Sequence, residues 1–325
     1  MRILIVKLSS LGDVVHTMPV VHDILAAHPG ALIDWVVEPG FAPLLRRVNG
    51  VGEVIECALR RWSKGWWTGP VRSEWRAFRT RLRREHYDAV IDFQGLTKSA
   101  IIARIARGTS HGLANRTDGA SHEPTARWLV DHAIHIEPRT HALDRARTLA
   151  ARALGYDVQG APVFGLQAQT QAAPVSAPTL VFVHGTSRED KLWPVPSWIE
   201  IGRRAIAQGW RIALPHAGAA ELERAQQIAA ALGKTAEVWP AMDLATLVDR
   251  LGITQGVIGV DSGLSHIAVA LDLPHVQLYN FPTSWRTGPQ AGHGHRHQVS
   301  IEGGPLPSVE GVWSAWTQVS EARAS

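Results

Sequence analysis

The sequence predicts an α/β protein built as two doubly wound units with a linker between them. Short apolar β-type runs alternate with amphipathic helical patterns along almost the whole chain, the order that covers a parallel sheet with helices. One stretch, 158–178 (VQGAPVFGLQAQTQAAPVSAP), breaks the alternation: it lacks charge, is rich in Pro, Gly, Gln and Ala, and shows no period. The chain has 325 residues, 45% of them hydrophobic, which is long for one core and suits two of about 150 residues each.

In order, β-type runs fall near 2–7, 32–37, 53–57, 88–92, 110–114 and 133–136, with helical patterns at 13–27, 72–86, 96–107 and 140–154. This first unit should span 1–157. After the linker, strands are expected at 179–184, 211–215, 236–239, 255–260 and 275–279, and helices at 197–209, 219–232, 243–251 and 264–271. The second unit should span 179–305, and residues 306–325 should hold one last helix. Two such units frame a cleft, with ligands at the carboxyl ends of its strands.

Composition removes several classes. At 19% charged residues the chain is neither disordered nor fibrous. The N-terminal apolar stretch is short, contains Lys7 and meets Asp13, unlike a secretory leader. No run nears the roughly 20 apolar residues of a membrane span, so a soluble or peripheral protein is expected. The single cysteine, Cys57, allows no internal disulfide and fits a reducing compartment. Net charge is +4, and residues 60–85 hold nine Lys/Arg against two acids, a local +7 that leaves the rest at −3. Trp62, Trp66, Trp67 and Trp75 lie among them. An anionic partner is expected there.

Three loops could carry chemistry. Ser9-Ser10-Leu11-Gly12-Asp13 follows the first strand, with Gly12 for a tight turn and Asp13 at the start of a helix. Capping explains Asp13, and a general base for a sugar hydroxyl explains it too. The G-x-G-x-x-G dinucleotide spacing is absent. Asp261-Ser262-Gly263-Leu264-Ser265-His266 follows the strand ending at Val260 and opens a helix, so free amides there suit a pyrophosphate. His184 to Pro194 leaves the first strand of the second unit; Thr186 and Ser187 bring hydroxyls and Lys191 a compact charge for a departing diphosphate. Its plain alternative is a solvated loop whose Arg and Lys pair with Glu189 and Asp190. Neither H-E-x-x-H nor paired carboxylates after a strand occur, and His293, His295 and His297 sit in a Gly-rich loop, so no metal is expected.

Together VKLSSLGDVVHTMPV, LRRWSKGWW, VIDFQGLTKSA, DKLWPVPSW and DSGLSH resemble the lipopolysaccharide heptosyltransferase family over essentially the whole chain, and LRRWSKGWW and DFQGLTKSA resemble its type I branch. The resemblance implies a GT-B fold: two Rossmann-like α/β domains facing a central cleft, with the C-terminal helix crossing back to the N-terminal domain. It implies ADP-heptose as donor, the Kdo of Kdo-lipid A as acceptor, and inverting transfer without cofactor or metal. The location implied is peripheral, on the cytoplasmic face of the inner membrane; nucleic acid is not an expected partner. By matching position, Asp13 is the base and Lys191 steadies the leaving diphosphate. Thr186, Ser187, Lys191, Glu221, Met242, Asp261, Ser262, Gly263, Leu264 and His266 line the donor site, and Ser10, Gly12, Arg60, Arg61 and Lys64 the acceptor site. Asn280-Phe281-Pro282-Thr283 stands where the family often has Gly-Pro-Thr, which leaves that loop without an assigned contact. A type II enzyme with a heptose acceptor and a non-catalytic nucleotide-sugar binder are the alternatives.

Overall fold

A computed structural model describes residues 1–169 and 177–322; residues 170–176 of the expected linker lie outside the described residues. The chain divides into two units, Met1–Leu166 and Gln167–Ser325.

The first unit runs β1 (Arg2–Val6), α1 (Leu11–Thr17), α2 (Pro19–Ala27), β2 (Leu32–Val37), α3 (Ala42–Leu45), β3 (Val51–Glu56), α4 (Leu59–Gly65), α5 (Gly69–Leu82), β4 (His86–Asp92), α6 (Thr97–Ile105), β5 (Arg107–Leu113), β6 (His132–Ile134) and α7 (Ala142–Leu154). Its six strands order as β3-β2-β1-β4-β5-β6, all parallel. β1, with Ile3 through Val6 fully buried, reads as an unbroken apolar run because helices cover both faces.

The helix expected over 13–27 is two helices. Pro19, at the first position of α2, has no N–H to continue the ladder and suits a new start. α1 also begins earlier, at Leu11, so Ser10 is its N-cap and Asp13 stands three residues inside. α4 is a second departure. Arg60, Arg61 and Lys64 lie on it, whereas the sequence places them off any regular helix. Its apolar signal is only Leu59 and Trp62. What holds it is Trp62, buried against Trp75 and Phe78 of α5 with ring centroids 5.7 and 5.5 Å apart.

The linker starts later than expected. Phe164 and Leu166 are buried, the Asn49 N–H donates to the Gly165 carbonyl, and Arg147 donates to the carbonyls of Gln159 and Gly160. Residues 158–166 therefore belong to the first unit.

The second unit runs β7 (Thr179–Val183), α8 (Val195–Ala207), β8 (Arg211–Leu214), α9 (Ala219–Leu232), β9 (Ala236–Val238), α10 (Leu244–Gly252), β10 (Gly256–Val260), α11 (Gly263–Ala270), β11 (His275–Tyr279), α12 (Ser284–Thr287), β12 (Gln298–Glu302) and α13 (Val309–Glu321). The strand order β12-β11-β10-β7-β8-β9 is that of the first unit, counted from each unit's own first strand. In both, the order reverses between the first and fourth strands, β1/β4 and β7/β10, and an open α/β sheet binds ligands in the crevice beyond those carboxyl ends. β12, hidden in sequence behind the His- and Gly-rich loop, extends the sheet beside β11.

The C-terminal helix expected within 306–325 is α13, and it contributes to the core of the second unit. Val312, Ala315, Trp316 and Val319 are buried in the core of the second unit with Phe182, Trp198, Ile258 and Leu278. Trp316 lies so close over β10 that a Cβ on Gly256 would come within 2.2 Å of its ring; only glycine allows that approach.

Candidate functional site

The crevice of the first unit lies beyond the ends of β1 and β4, and Asp13 is its charged centre. The Asp13 Oδ2 accepts hydrogen bonds from the Ser10 N–H at 3.2 Å and the Ser10 hydroxyl at 3.0 Å. The carboxylate thus does cap the helix, as half of a capping box. Its other oxygen differs. Oδ1 accepts no hydrogen bond among the described residues and has the Arg145 guanidinium 3.9 Å away; the Lys7 ammonium is 3.8 Å from Oδ2. The side chain is 35% exposed. Burial alone would raise the Asp13 pKa, but Lys7, Arg145 and the two Ser10 hydrogen bonds outweigh it and hold the group below its ordinary value.

Both cations are themselves buried. Lys7 is 4% exposed and donates to the Phe93 carbonyl at 3.2 Å; desolvation drags its pKa down while Asp13 opposes this. Arg145, on α7, donates to the Thr117 hydroxyl. Lys7, Asp13, His16, Thr17 and Arg145 line one small cavity. Asp92, at the end of β4, is fully enclosed, and burial pushes its carboxyl up to about 6 against hydrogen bonds from the Gln94 and Gly95 amides and the Ser99 hydroxyl.

The expected acceptor residues divide. Ser10 is the N-cap of α1, and Gly12 precedes Asp13 in its first turn. Arg60, Arg61 and Lys64 are exposed on α4. Arg61 pairs with Glu74, which also accepts from the Trp62 ring N–H at 2.7 Å. Arg60 and Lys64 form no ion pair among the described residues. Farther along, Arg81 and Arg84 pair with Glu53. Trp66 and Trp67 are 56% and 73% exposed.

In the second unit the loops after β7 and β10 converge on Asp261. Lys191 donates to Asp261 Oδ2 at 2.5 Å, His266 Nε2 lies 3.5 Å from Oδ1, and the Thr186 hydroxyl donates to the Asp261 carbonyl at 3.1 Å. The Asp261 side chain is only 12% exposed. Burial works to raise its pKa, yet His266 and Lys191 hold it far below the carboxylate range. Ser262 stands at the N-cap position of α11 without a side-chain capping bond, Gly263 and Leu264 form its first turn, and Ser265 turns inward to the Val260 carbonyl at 2.6 Å.

The plain alternative for the His184–Pro194 loop holds for Arg188, which pairs with Asp190, and fails for Lys191. Ser187 is exposed on the same loop, and Met242 stands half-buried before α10. Glu221 accepts from the Ala217 N–H at 2.7 Å and packs on Gly185, where a Cβ would meet its carboxyl at 2.5 Å.

Four residues of the two sites carry no signal by type and spacing. Lys7 reads as an intruder in a strand, and Arg145 is one of several arginines on an amphipathic helix. Gln94 accepts from the amides of Leu8 and Ser9. Asn280, in the loop left unassigned, donates from Nδ2 to the carbonyls of Asp190 and Leu192, at 2.9 and 3.0 Å, on either side of Lys191. These two bonds brace the turn that carries Lys191.

Comparison with known proteins fits this geometry. The family model of glycosyltransferase family 9 (heptosyltransferase) matches residues 75–305. Lipopolysaccharide heptosyltransferase 1 of Escherichia coli strain K12 is 40% identical over 303 residues, covering 92% of this chain and 93% of that protein. The Salmonella typhimurium heptosyltransferase 1 is 41% identical, over 86% of this chain and 88% of its own length. Heptosyltransferase 2 of S. typhimurium is 26% identical, over 90% and 86%. The solved structure of E. coli heptosyltransferase WaaC with ADP superposes with a TM-score of 0.85 at 36% identity, covering 99% of this chain and all of that one. The same enzyme with ADP-2-deoxy-2-fluoro heptose gives 0.80 at 37% identity, covering 100% and 98%. The chain belongs to glycosyltransferase family 9, the heptosyltransferases.

Proposed function

We propose that the chain moves heptose from ADP-heptose to the Kdo of Kdo-lipid A, in assembly of the lipopolysaccharide inner core, with Asp13 as the general base. The observation that carries this reading is the Asp13 carboxylate: one oxygen is anchored, the other is uncommitted, and two buried cations keep it ionised. The acceptor hydroxyl gives its proton to Oδ1 as its oxygen bonds to the anomeric carbon, and the bond to the diphosphate breaks on the opposite face. One base suffices for inversion, because ADP leaves as an already acidic group. Lys191, the α11 amides and His266 receive the diphosphate charge, which assigns the second unit to the donor and requires no metal. Thr186, Ser187, Glu221 and Met242 complete the donor side. Arg60, Arg61 and Lys64 take the acceptor's carboxylates and phosphates, where the planar Arg fork is suited to bidentate contact.

The basic α4–α5 hairpin supports a peripheral place on an anionic membrane at the cytoplasmic face of the inner membrane. Its exposed Trp66 and Trp67 are the side chains that settle at a headgroup boundary, and among the described residues no helix is long and apolar enough to cross a membrane.

The test is ADP release with ADP-heptose and de-acylated Kdo-lipid A, with and without EDTA. Acceptor-dependent release that survives chelation is the expected result. Release only with a heptose-bearing acceptor marks a type II enzyme, and donor binding without turnover marks a binding module.

A further inference from the structure

The loop that leads into the helix of Asp13 is held from the end of β4, and the residue that holds it has a second hydrogen-bonding end to offer. Gln94 Oε1 accepts from two consecutive amides, Leu8 and Ser9, at 3.2 Å each. Two N–H donors at one end of a carboxamide require the oxygen there, so the NH2 is at the other end. That Nε2 donates to nothing among the described residues. The Gln94 backbone is fixed in turn: its N–H donates to Asp92 Oδ1 at 2.8 Å, and Asp92 is locked by the Ser99 hydroxyl at 2.9 Å. A continuous chain of bonds thus runs from α6 through Asp92 and Gln94 to the backbone of Leu8 and Ser9. Ser10 follows, and it anchors Asp13. Gln94 stands between the ends of β1 and β4, where the strand order reverses and a ligand is expected.

We propose that Gln94 is a positioning residue with a substrate contact: its oxygen sets the Asp13 loop, and its amide NH2 donates to a carboxylate or hydroxyl of the acceptor sugar. The inference rests on the assignment of the acceptor to the first unit. An amide suits both duties at once, since it accepts at one end and donates at the other without bringing charge near Asp13. A glutamate in its place still accepts from the two loop amides, but presents an anionic oxygen to an anionic acceptor. A leucine does neither.

Steady-state kinetics on wild type, Gln94→Glu and Gln94→Leu, varying ADP-heptose and de-acylated Kdo-lipid A in turn, separate the two duties. For Gln94→Glu the acceptor KM is expected to rise about tenfold or more, the scale of a hydrogen bond to a charged group lost, with donor KM and melting temperature close to wild type. For Gln94→Leu kcat is expected to fall as well, because the base loop loses its anchor. A residue that served folding alone would lower the melting temperature of both variants without splitting the two KM values. An unchanged acceptor KM in Gln94→Glu, or equal rises for both substrates, overturns the inference while wild-type turnover leaves the functional reading standing. A wild-type chain that releases no ADP in response to the acceptor overturns the reading and the inference together.

Discussion

Asp13 and Asp261 are the same group in similar places, yet the molecule treats them in opposite ways. Each follows a central strand at the reversal point of its own sheet, and each is held ionised by two nearby basic groups. Around Asp261 the contacts are close: Lys191 at 2.5 Å and only 12% of the side chain exposed. Around Asp13 the cations stand off at 3.8 and 3.9 Å, and the side chain is 35% exposed. Coulomb attraction falls slowly with distance while a hydrogen bond needs contact. Stand-off cations therefore keep a carboxylate charged without occupying the lone pairs that must receive a proton. On the proposed reading, this leaves Asp13 able to take a proton, while Asp261 is committed to Lys191 and His266.

The largest effects follow from that difference. Asp13→Asn should lower turnover by about two to four powers of ten, the usual worth of a general base, with ADP affinity by calorimetry and the melting temperature nearly unchanged. Normal turnover in this variant would return Asp13 to capping alone. Asp261→Asn should show the reverse emphasis, a loss of stability of about 2 kcal/mol in denaturant titration, as expected when one partner of a buried charged hydrogen bond is removed. Asp261 contributes stability above its unfolded pKa, which disappears as pH falls through the depressed folded value, so the gap between variant and wild type should close in acid. Lys191→Ala should weaken ADP binding about tenfold, and EDTA should leave wild-type turnover intact. Unchanged ADP affinity in Lys191→Ala, or a loss with EDTA that magnesium restores, would break the donor assignment.

A smaller effect sharpens the account of Asp13. Lys7→Met keeps the length of a buried side chain and removes its charge. With Lys7 gone, burial pushes the Asp13 pKa upward with only Arg145 and Ser10 to oppose it. The base works when ionised, so the acid limb of the kcat/KM profile for the acceptor should move to higher pH. A limb that stays in place would mean that Arg145 alone sets the carboxylate.

How much of this was legible in the sequence follows the range of each interaction. The strand-loop-helix order around Asp13, Lys191 and Asp261 is local, and local pattern located all three loops; β2, α9 and β11 coincide with their expected bounds. The residues that tune those loops act across the fold. Arg145 is 132 positions from Asp13, Gln94 reaches back 85 and 86 positions to Ser9 and Leu8, and Asn280 reaches 90 and 88 to Asp190 and Leu192. Nothing in the type or spacing of these residues announces such partners. α4 was hidden for a related reason. Its stability comes from Trp62 against α5, a tertiary contact, while its own seven residues are mostly polar. The C-terminal helix is legible as a helix, but the close seat of its Trp316 against Gly256 exists only in the folded sheet.

The smallest predicted effect lies on α4, where two neighbouring arginines face different circumstances. Arg61 is paired with Glu74, so part of its charge is already answered within the protein. Arg60 and Lys64 have no such partner among the described residues, and their full charge is available to an anionic acceptor. Arg60→Ala and Lys64→Ala should each raise the acceptor KM by a few-fold at low salt, on the scale of an exposed ion pair. Arg61→Ala removes a charge and also releases Glu74, which then repels the acceptor; adding Glu74→Gln should recover part of the loss. Exposed charges are screened over about 8 Å at physiological ionic strength, so all three penalties should shrink as salt rises, while the donor KM in the other unit stays level. If Arg61→Ala alone carries the effect, and Glu74→Gln recovers none of it, then Arg61 leaves Glu74 to grip the acceptor directly and the ion pair is the resting state of a binding residue. If the donor KM moves and the acceptor KM does not, the hairpin belongs to the nucleotide side, and the division of labour between the two units fails with it.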